Sequence, residues 1–179
     1  MGWMIFAFCW GLAEATLFFI LPDVLLTILA VKNGKQAIWA CLGALVGAIL
    51  GGTLMYLWGL SNPQTALDIV EKVPAINSEM IQEVQESVRE EGLFAMALGP
   101  VKGIPYKIYA VEAARQGIPY LSFFLVSIPA RLVRFLLTSV LAWTIAKYVL
   151  KNESLQSKYW ILAGVWILVY LFYFSLNPS

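Results

Sequence analysis

Residues 92–117, GLFAMALGPVKGIPYKIYAVEAARQG, decide how this chain is expected to fold. The stretch is apolar enough to enter a bilayer, but its centre carries Gly99, Pro100, Gly103 and Pro105, which disfavour a continuous helix. A helix needs about 20 residues to cross the hydrocarbon core, and neither flank of this centre is that long. Non-helical backbone survives at membrane depth only where protein buries it or it lines a polar cavity. We therefore expect a re-entrant helical hairpin at 92–117.

A second apolar stretch, residues 3–31, is interrupted in a similar way. Glu14 lies halfway along it, and Pro22 and Asp23 follow soon after. Because proline pushes the preceding residue out of the helical region, the tip of this hairpin is predicted around 15–22. Paired interrupted helices in the two halves of a membrane protein point to a transport site.

The composition indicates an integral membrane protein with a single domain. Apolar residues make up 60% of the 179 positions and charged residues only 13%, whereas soluble domains average about 25% charged residues. The sequence contains no histidine, which excludes histidine metal ligands and histidine general bases. Cys9 and Cys41 lack metal-binding spacing and are predicted to be small buried hydrophobes. We expect no metal and no cofactor.

Three uncharged or weakly charged runs are long enough to span a bilayer, which completes an all-α membrane fold. They are residues 36–60, 118–146 and 159–176. Within the first run Gly43, Gly47 and Gly51 recur every four residues, a pattern that lets helices approach closely. Residues 61–91 are predicted to be an acidic extramembrane segment that ends in an amphipathic helix.

The distribution of charge predicts the orientation. Seven of the eleven acidic residues lie in 61–91 with only two bases. If both interrupted stretches re-enter, Lys32, Lys35, Lys147 and Lys151 share one side of the membrane and 61–91 lies on the other. Basic loops mark the cytoplasmic side, so 61–91 is expected on the non-cytoplasmic side of a bacterial inner (plasma) membrane. Residues 3–60 and 93–146 would then be inverted repeats with hairpin tips meeting near the midplane.

Charged residues within the membrane form the candidate site. Lys102, Lys107, Arg131 and Arg134 are predicted to bind an anion, because arginine and lysine are the usual phosphate ligands. Glu14 and Asp23 are the candidates for proton coupling, since burial disfavours the charged form of a carboxyl group. The alternative is that these charges pair with one another and only lock the hairpins together.

Five short sequence motifs follow one another along the chain. They are Ala13-Glu14-Ala15, Leu21-Pro22-Asp23-Val24-Leu25-Leu26, Gly47–Tyr56, Ile104-Pro105-Tyr106-Lys107 and Arg131-Leu132-Val133-Arg134-Phe135. Their order and spacing, over residues 10–145, resemble the DedA superfamily of VTT-domain or SNARE-associated membrane proteins, and particularly its YqaA-like branch. The resemblance implies paired re-entrant hairpins and a role in lipid transport, including polyprenyl phosphates and phospholipids, dependent on the proton motive force. Glu14 and Asp23 match its acidic positions.

The leading functional hypothesis is a translocase or scramblase for lipids or lipid phosphates, proton-coupled or passive. The alternatives are a proton-coupled transporter of small ions or solutes, and a non-transporting assembly or chaperone subunit. We do not expect an enzyme, because the sequence has neither a GxSxG elbow nor a paired aspartate arrangement for proteolysis. The expected partners are phosphate-bearing membrane lipids and protons, not nucleic acid. The sequence leaves homo-oligomer formation open.

Overall fold

The chain is all-helical over the part that the structure describes. The structure is a computed structural model that describes the backbone of residues 2–177 and the side chains of residues 2–99 and 103–177. In chain order the helices are α1 (Gly2–Ala15), α2 (Asp23–Lys32), α3 (Gly34–Ser61), α4 (Pro63–Val70), α5 (Ser78–Glu91), α6 (Leu93–Lys102), α7 (Tyr106–Arg115), α8 (Tyr120–Thr144) and α9 (Leu155–Leu176). A π-helical turn, Ile145–Val149, continues α8. The prediction of an all-α chain is confirmed for residues 2–177.

Three helices within residues 2–177 are long and apolar enough to cross a membrane. They are α3 with 28 residues, α8 with its π-helical turn with 30, and α9 with 22. The sequence placed its three spans at 36–60, 118–146 and 159–176, over the same parts of the chain. The protein thus has the helices, in length and composition, that a membrane-embedded protein requires.

Helices α1 and α3 lie against each other through small residues. A side chain at Gly43 would overlap the carbonyl oxygen of Met4, and one at Gly47 would overlap that of Phe8. Gly11 of α1 lies equally close to the backbone of Ala44. Residue numbers rise in the same direction in both helices along this contact, from Met4 to Phe8 and from Gly43 to Gly47. Helix α1 therefore runs parallel to the first part of α3. The four-residue glycine spacing is therefore the packing seam that the sequence predicted.

The first helical interruption lies where it was predicted. α1 ends at Ala15 and α2 begins at Asp23, with Pro22 immediately before it. The connecting segment is fixed by a hydrogen bond from the Trp10 indole Nε1 to the carbonyl oxygen of Ile20, at 3.0 Å.

The second interruption is shorter than predicted. Gly99 and Pro100 were expected to break the chain, but both lie inside α6, so this part of the prediction is wrong. The helix ends instead at Gly103, whose φ of 75° is left-handed, and α7 starts after Pro105. A left-handed glycine is a common helix terminator, whereas an interior proline, which loses a hydrogen bond and crowds the preceding turn, can still be accommodated within a helix as a kink.

Both interruptions lie at the same level of α3. Ala15, the last residue of α1, lies against Gly51. Tyr106, the first residue of α7, lies against the next residue, Gly52. From this level α7 continues along the second part of α3, where Val111 lies against Gly59.

The two helical pairs, α1–α2 and α6–α7, make equivalent contacts. α1 packs on α3, the long helix that follows the α1–α2 pair. Likewise, α6 packs on α8, the long helix that follows the α6–α7 pair. α2 contacts both α8 and α3, and α7 contacts both α3 and α8. The acidic segment covers one end of this arrangement, with α5 packed against α6 and α7. The buried residues of α5 are Met80, Ile81, Val84 and Val88, which form the apolar face of the predicted amphipathic helix.

Candidate functional site

The centre of the site is an ion pair between the end of α1 and the middle of α8. Arg131 donates from Nη2 to Oε2 of Glu14 at 2.7 Å, and their side chains are 1% and 3% exposed. The guanidinium lies 4.2 Å from the centre of the Tyr106 ring, in a cation–π contact. The Tyr106 hydroxyl donates to Ser127 at 2.7 Å. Nε and Nη1 of Arg131 have no hydrogen-bond partner among the described residues.

A second ion pair lies one turn further along α8. Arg134 donates from Nη2 to Oδ2 of Asp23, the first residue of α2. Thr138, one turn further again, donates from its hydroxyl to the other carboxylate oxygen of Asp23 at 2.8 Å. Arg134 remains 18% exposed while Asp23 is fully enclosed. The arginine therefore has a free side, and the carboxylate does not.

Lys107 supplies the third buried cation. It lies in the first turn of α7, and its ammonium donates to the carbonyl oxygen of Phe18 at 2.8 Å. Among the described side chains no carboxylate lies within ion-pair distance of Lys107. Burial of a lysine without a carboxylate is costly. Three cations thus face two carboxylates in the described cluster, which leaves one positive charge in excess.

A cavity of about 220 Å³ opens beside this cluster. We call it the first cavity. Glu14, Lys107 and Arg134 provide its charged side. Its remaining wall is mainly apolar and aromatic, from the connection 16–22, the connection 103–105, residues 73–76 and the second half of α9. A molecule that fills it would meet two cations and the Glu14 carboxylate at one side, and aromatic or aliphatic groups at the other.

Two of the aromatic residues in α9 were not identified from the sequence. The hydroxyl of Tyr170 accepts a hydrogen bond from the backbone N–H of Leu21 at 2.9 Å, which holds α9 against the first interruption. Tyr170 and Phe174 are also stacked on each other. The available signal was the spacing of Tyr170, Tyr173 and Phe174, which places three aromatic rings on one face of a helix.

The structure brings most of the predicted site residues together. Glu14, Asp23, Lys107, Arg131 and Arg134 form the cluster described above. The side chain of the fourth predicted anion ligand, Lys102, lies outside the described residues.

The two arginines do not have the same position relative to the first cavity. Arg134 lines this cavity, whereas Arg131 lies behind it and holds Glu14. Of the three described cations, Lys107 and Arg134 are therefore the ones with access to an anion bound in the first cavity.

The fold and the cluster define a class: a helical protein with three potential membrane spans and a buried group of charges between interrupted helices. No family model matches the chain, and no solved structure matches it. A protein of Haemophilus influenzae, described as uncharacterized, is 25% identical over 161 residues, 88% of this chain and 82% of the relative. One of Histophilus somni, likewise described as uncharacterized, is 32% identical over 85 residues, 46% of this chain and 44% of the relative.

Proposed function

We propose that the protein translocates or scrambles membrane lipids that carry a phosphate head group, and that the head group binds in the first cavity. The observation that carries the proposal is the combination, in one cavity, of Lys107 and Arg134 with an aromatic and aliphatic wall. Phosphate is recognised by lysine as a point charge and by arginine through paired N–H groups. The chains of a lipid suit the apolar side of the same cavity.

The charge balance supports an anionic ligand. The described cluster has one more cation than carboxylates, so a phosphate monoanion would neutralise it. A hydrogen bond to a charged group contributes about 1.5–3 kcal/mol. The ligand would take the free side of Arg134 and displace the Phe18 carbonyl from Lys107.

The helical arrangement supports re-entrant hairpins related as inverted repeats. The α1–α2 and α6–α7 pairs make equivalent contacts with α3 and α8, and both interruptions lie at the level of Gly51 and Gly52. In the proposal the two hairpins enter from opposite faces of a bacterial inner membrane. The acidic segment 61–91 lies outside the cytoplasm, and the tips meet near the midplane, where such proteins bind their substrate.

Proton coupling through the two ion pairs is a second part of the proposal. Each carboxylate neutralises one arginine, Glu14 with Arg131 and Asp23 with Arg134. A phosphate that binds Arg134 would displace the Asp23 carboxylate, and Asp23, buried without its arginine, would then take up a proton. Lipid phosphate and carboxylate would thus compete for the same cation. On its sequence resemblance, we also propose that the protein belongs to the DedA superfamily.

A second candidate function is favoured by the same ion pairs. Both arginines are already bound to carboxylates, which suits a brace that holds the hairpins against α8. A protein of this kind would be a non-transporting assembly subunit. Lys107 distinguishes the two functions, because a brace gives no reason to bury a cation that has no carboxylate within ion-pair distance among the described side chains.

Purified protein in lipid vesicles tests the proposal. We expect fluorescent phosphate-bearing lipids to exchange between leaflets faster than in protein-free vesicles. A flux of small ions or solutes without lipid exchange would support the small-solute transporter instead. Absence of both, in vesicles that contain folded protein, would contradict the proposal and favour the brace.

A further inference from the structure

A second cavity, also about 220 Å³, lies between α2, the end of α8 with its π-helical turn, and the first half of α9. Its wall is almost entirely apolar. Lys158 is at one end and donates its ammonium to the carbonyl oxygen of Ala146, in the π-helical turn, at 2.9 Å. Thr27 and Thr138 are the polar residues among the others that line it. An acyl chain fits such a wall, and Lys158 offers a cation to an anionic head group.

The Asp23 ion pair separates the two cavities. On α8, Arg134 lines the first cavity and Thr138, one turn later, lines the second. Both side chains bind the same carboxylate, that of Asp23. Helix α9 also lines both cavities: Tyr170 lines the first, and Trp166, one turn earlier in the sequence, lines the second.

The far ends of the two cavities point in opposite directions along α9. The first cavity reaches residues 73–76, which belong to the acidic segment. The second reaches Leu150 and Lys158, beside the loop that joins α8 to α9. In the proposed topology these ends lie on opposite sides of the membrane. Together the cavities follow most of the length of α9.

Helix α9 is weakly attached to the rest of the protein. No residue of 155–176, all of them described, is buried. Its main packing partner is α2. Two side-chain hydrogen bonds join it to the first hairpin: the Trp166 indole donates to Thr27 at 3.0 Å, and the Tyr170 hydroxyl accepts from Leu21. Each bond lies over one of the two cavities.

We propose that the second cavity is a binding station for an anionic lipid, and that it joins the first cavity in one groove when α9 moves away from α2. The inference rests on the proposed function. The closed groove is interrupted by the Asp23 ion pair and covered by α9. The open groove gives the head group a path past Lys107, Arg134 and Lys158, while the acyl chains move along its apolar walls.

The movement of α9 is measured first, without reference to transport. Spin labels replace Trp39 of α3 and Ile167 of α9, both exposed, in a Cys9→Ser, Cys41→Ser background. Pulsed EPR in nanodiscs should show a second, longer distance whose population rises with phosphatidylglycerol. Trp166→Phe, which removes the bond to Thr27, should raise it further. The matched control is Trp160→Phe, at an exposed tryptophan of the same helix, and should leave it unchanged.

The need for this movement is tested by cross-linking. Thr27→Cys and Trp166→Cys, in the same background, are joined by a flexible, reducible bis-thiosulfonate, because a tryptophan side chain separates the two backbones. Linking should lower lipid exchange at least tenfold, and a reductant should restore it. The control lock joins native Cys41 to Ser139→Cys, whose side chains lie 3.3 Å apart in the parent protein. This cross-link fixes α3 to α8 and leaves α9 free, so the rate of lipid exchange should stay within twofold of that of the unlinked protein.

The outcomes separate this inference from the function on which it rests. If the unlinked protein exchanges lipid and the α9 cross-link has no effect, the moving helix is contradicted and the function stands. If even the parent protein exchanges no lipid, the proposed function fails, and the spin-label distances still decide whether α9 moves. A single distance between the two spin labels, in all variants and in nanodiscs with and without phosphatidylglycerol, overturns the inference.

Discussion

Arg131 reaches Glu14 across 117 positions of sequence and forms a buried ion pair with it, Nη2 to Oε2, at 2.7 Å. The contact joins the end of the first helix to the middle of α8. It places a charged group where both helical interruptions meet, because Ala15 and Tyr106 lie at neighbouring levels of α3. The same arginine touches the ring of Tyr106. One side chain of α8 thus contacts both helical pairs, α1–α2 through Glu14 and α6–α7 through Tyr106.

Removing one member of this pair is expected to destabilise the protein strongly. Glu14→Gln leaves the Arg131 charge buried without its carboxylate, and breaking a buried pair costs about 3–5 kcal/mol. The double variant Glu14→Gln/Arg131→Met should recover most of this loss, because methionine keeps the length and apolar contacts of the arginine stem. Unfolding of the purified variants in detergent measures the difference.

Lipid exchange by the same double variant separates a brace from a transporter. If Glu14 takes part in proton-coupled transport, the double variant should fold and yet remain inactive. Full activity in the folded double variant would show that this ion pair only holds the helices together.

The proposed orientation is testable with single cysteines. Lys35→Cys and Asn152→Cys, each in a Cys9→Ser, Cys41→Ser background, should react with an impermeant thiol reagent only from the cytoplasmic side. Glu86→Cys, at an exposed position of α5, should react only from the other side. The reason is the accumulation of basic residues at one side and of acidic residues at the other. Labelling of positions 35 and 152 from opposite faces would refute the re-entrant topology.

The packing seam between α1 and α3 predicts a large difference between two glycine substitutions. Gly47→Ala places a methyl group against the carbonyl oxygen of Phe8, so the helices must separate. We expect a loss of about 1–3 kcal/mol, the usual cost of overpacking. Gly164→Ala in α9 meets open space and should be neutral or slightly stabilising, because alanine favours helix. Equal thermal stability of the two variants would contradict the described contact.

Much of the fold could be predicted, because helix ends and close helix contacts depend on residues that are near one another in the sequence. The first interruption follows from Pro22, and the close approach of α1 and α3 follows from the four-residue spacing of Gly43, Gly47 and Gly51. The second interruption was placed too early, at Gly99 and Pro100. A proline can kink a helix without ending it, and α6 ends at the left-handed Gly103, three residues after Pro100.

The candidate site was only partly predictable. The sequence identified the charges, but it could not show that Glu14 pairs with Arg131 and Asp23 with Arg134, because those contacts cross more than a hundred positions. It also could not distinguish the enclosed Arg131 from the accessible Arg134. The wall formed by α9 was missed, because this helix is apolar on all sides and only the spacing of Tyr170, Tyr173 and Phe174 distinguishes one face.

The most direct test of the central claim is lipid exchange by Lys107→Gln, compared with Lys35→Gln, in matched vesicles. Lys107 is buried at the first cavity and has no carboxylate partner among the described residues, whereas Lys35 lies at the exposed start of α3. Loss of a charged hydrogen bond worth about 1.5–3 kcal/mol should slow the exchange of phosphate-bearing lipids roughly 10- to 150-fold. We predict this loss in folded Lys107→Gln and an unchanged rate in Lys35→Gln. Equal exchange by both variants and the parent protein would contradict a phosphate site in the first cavity.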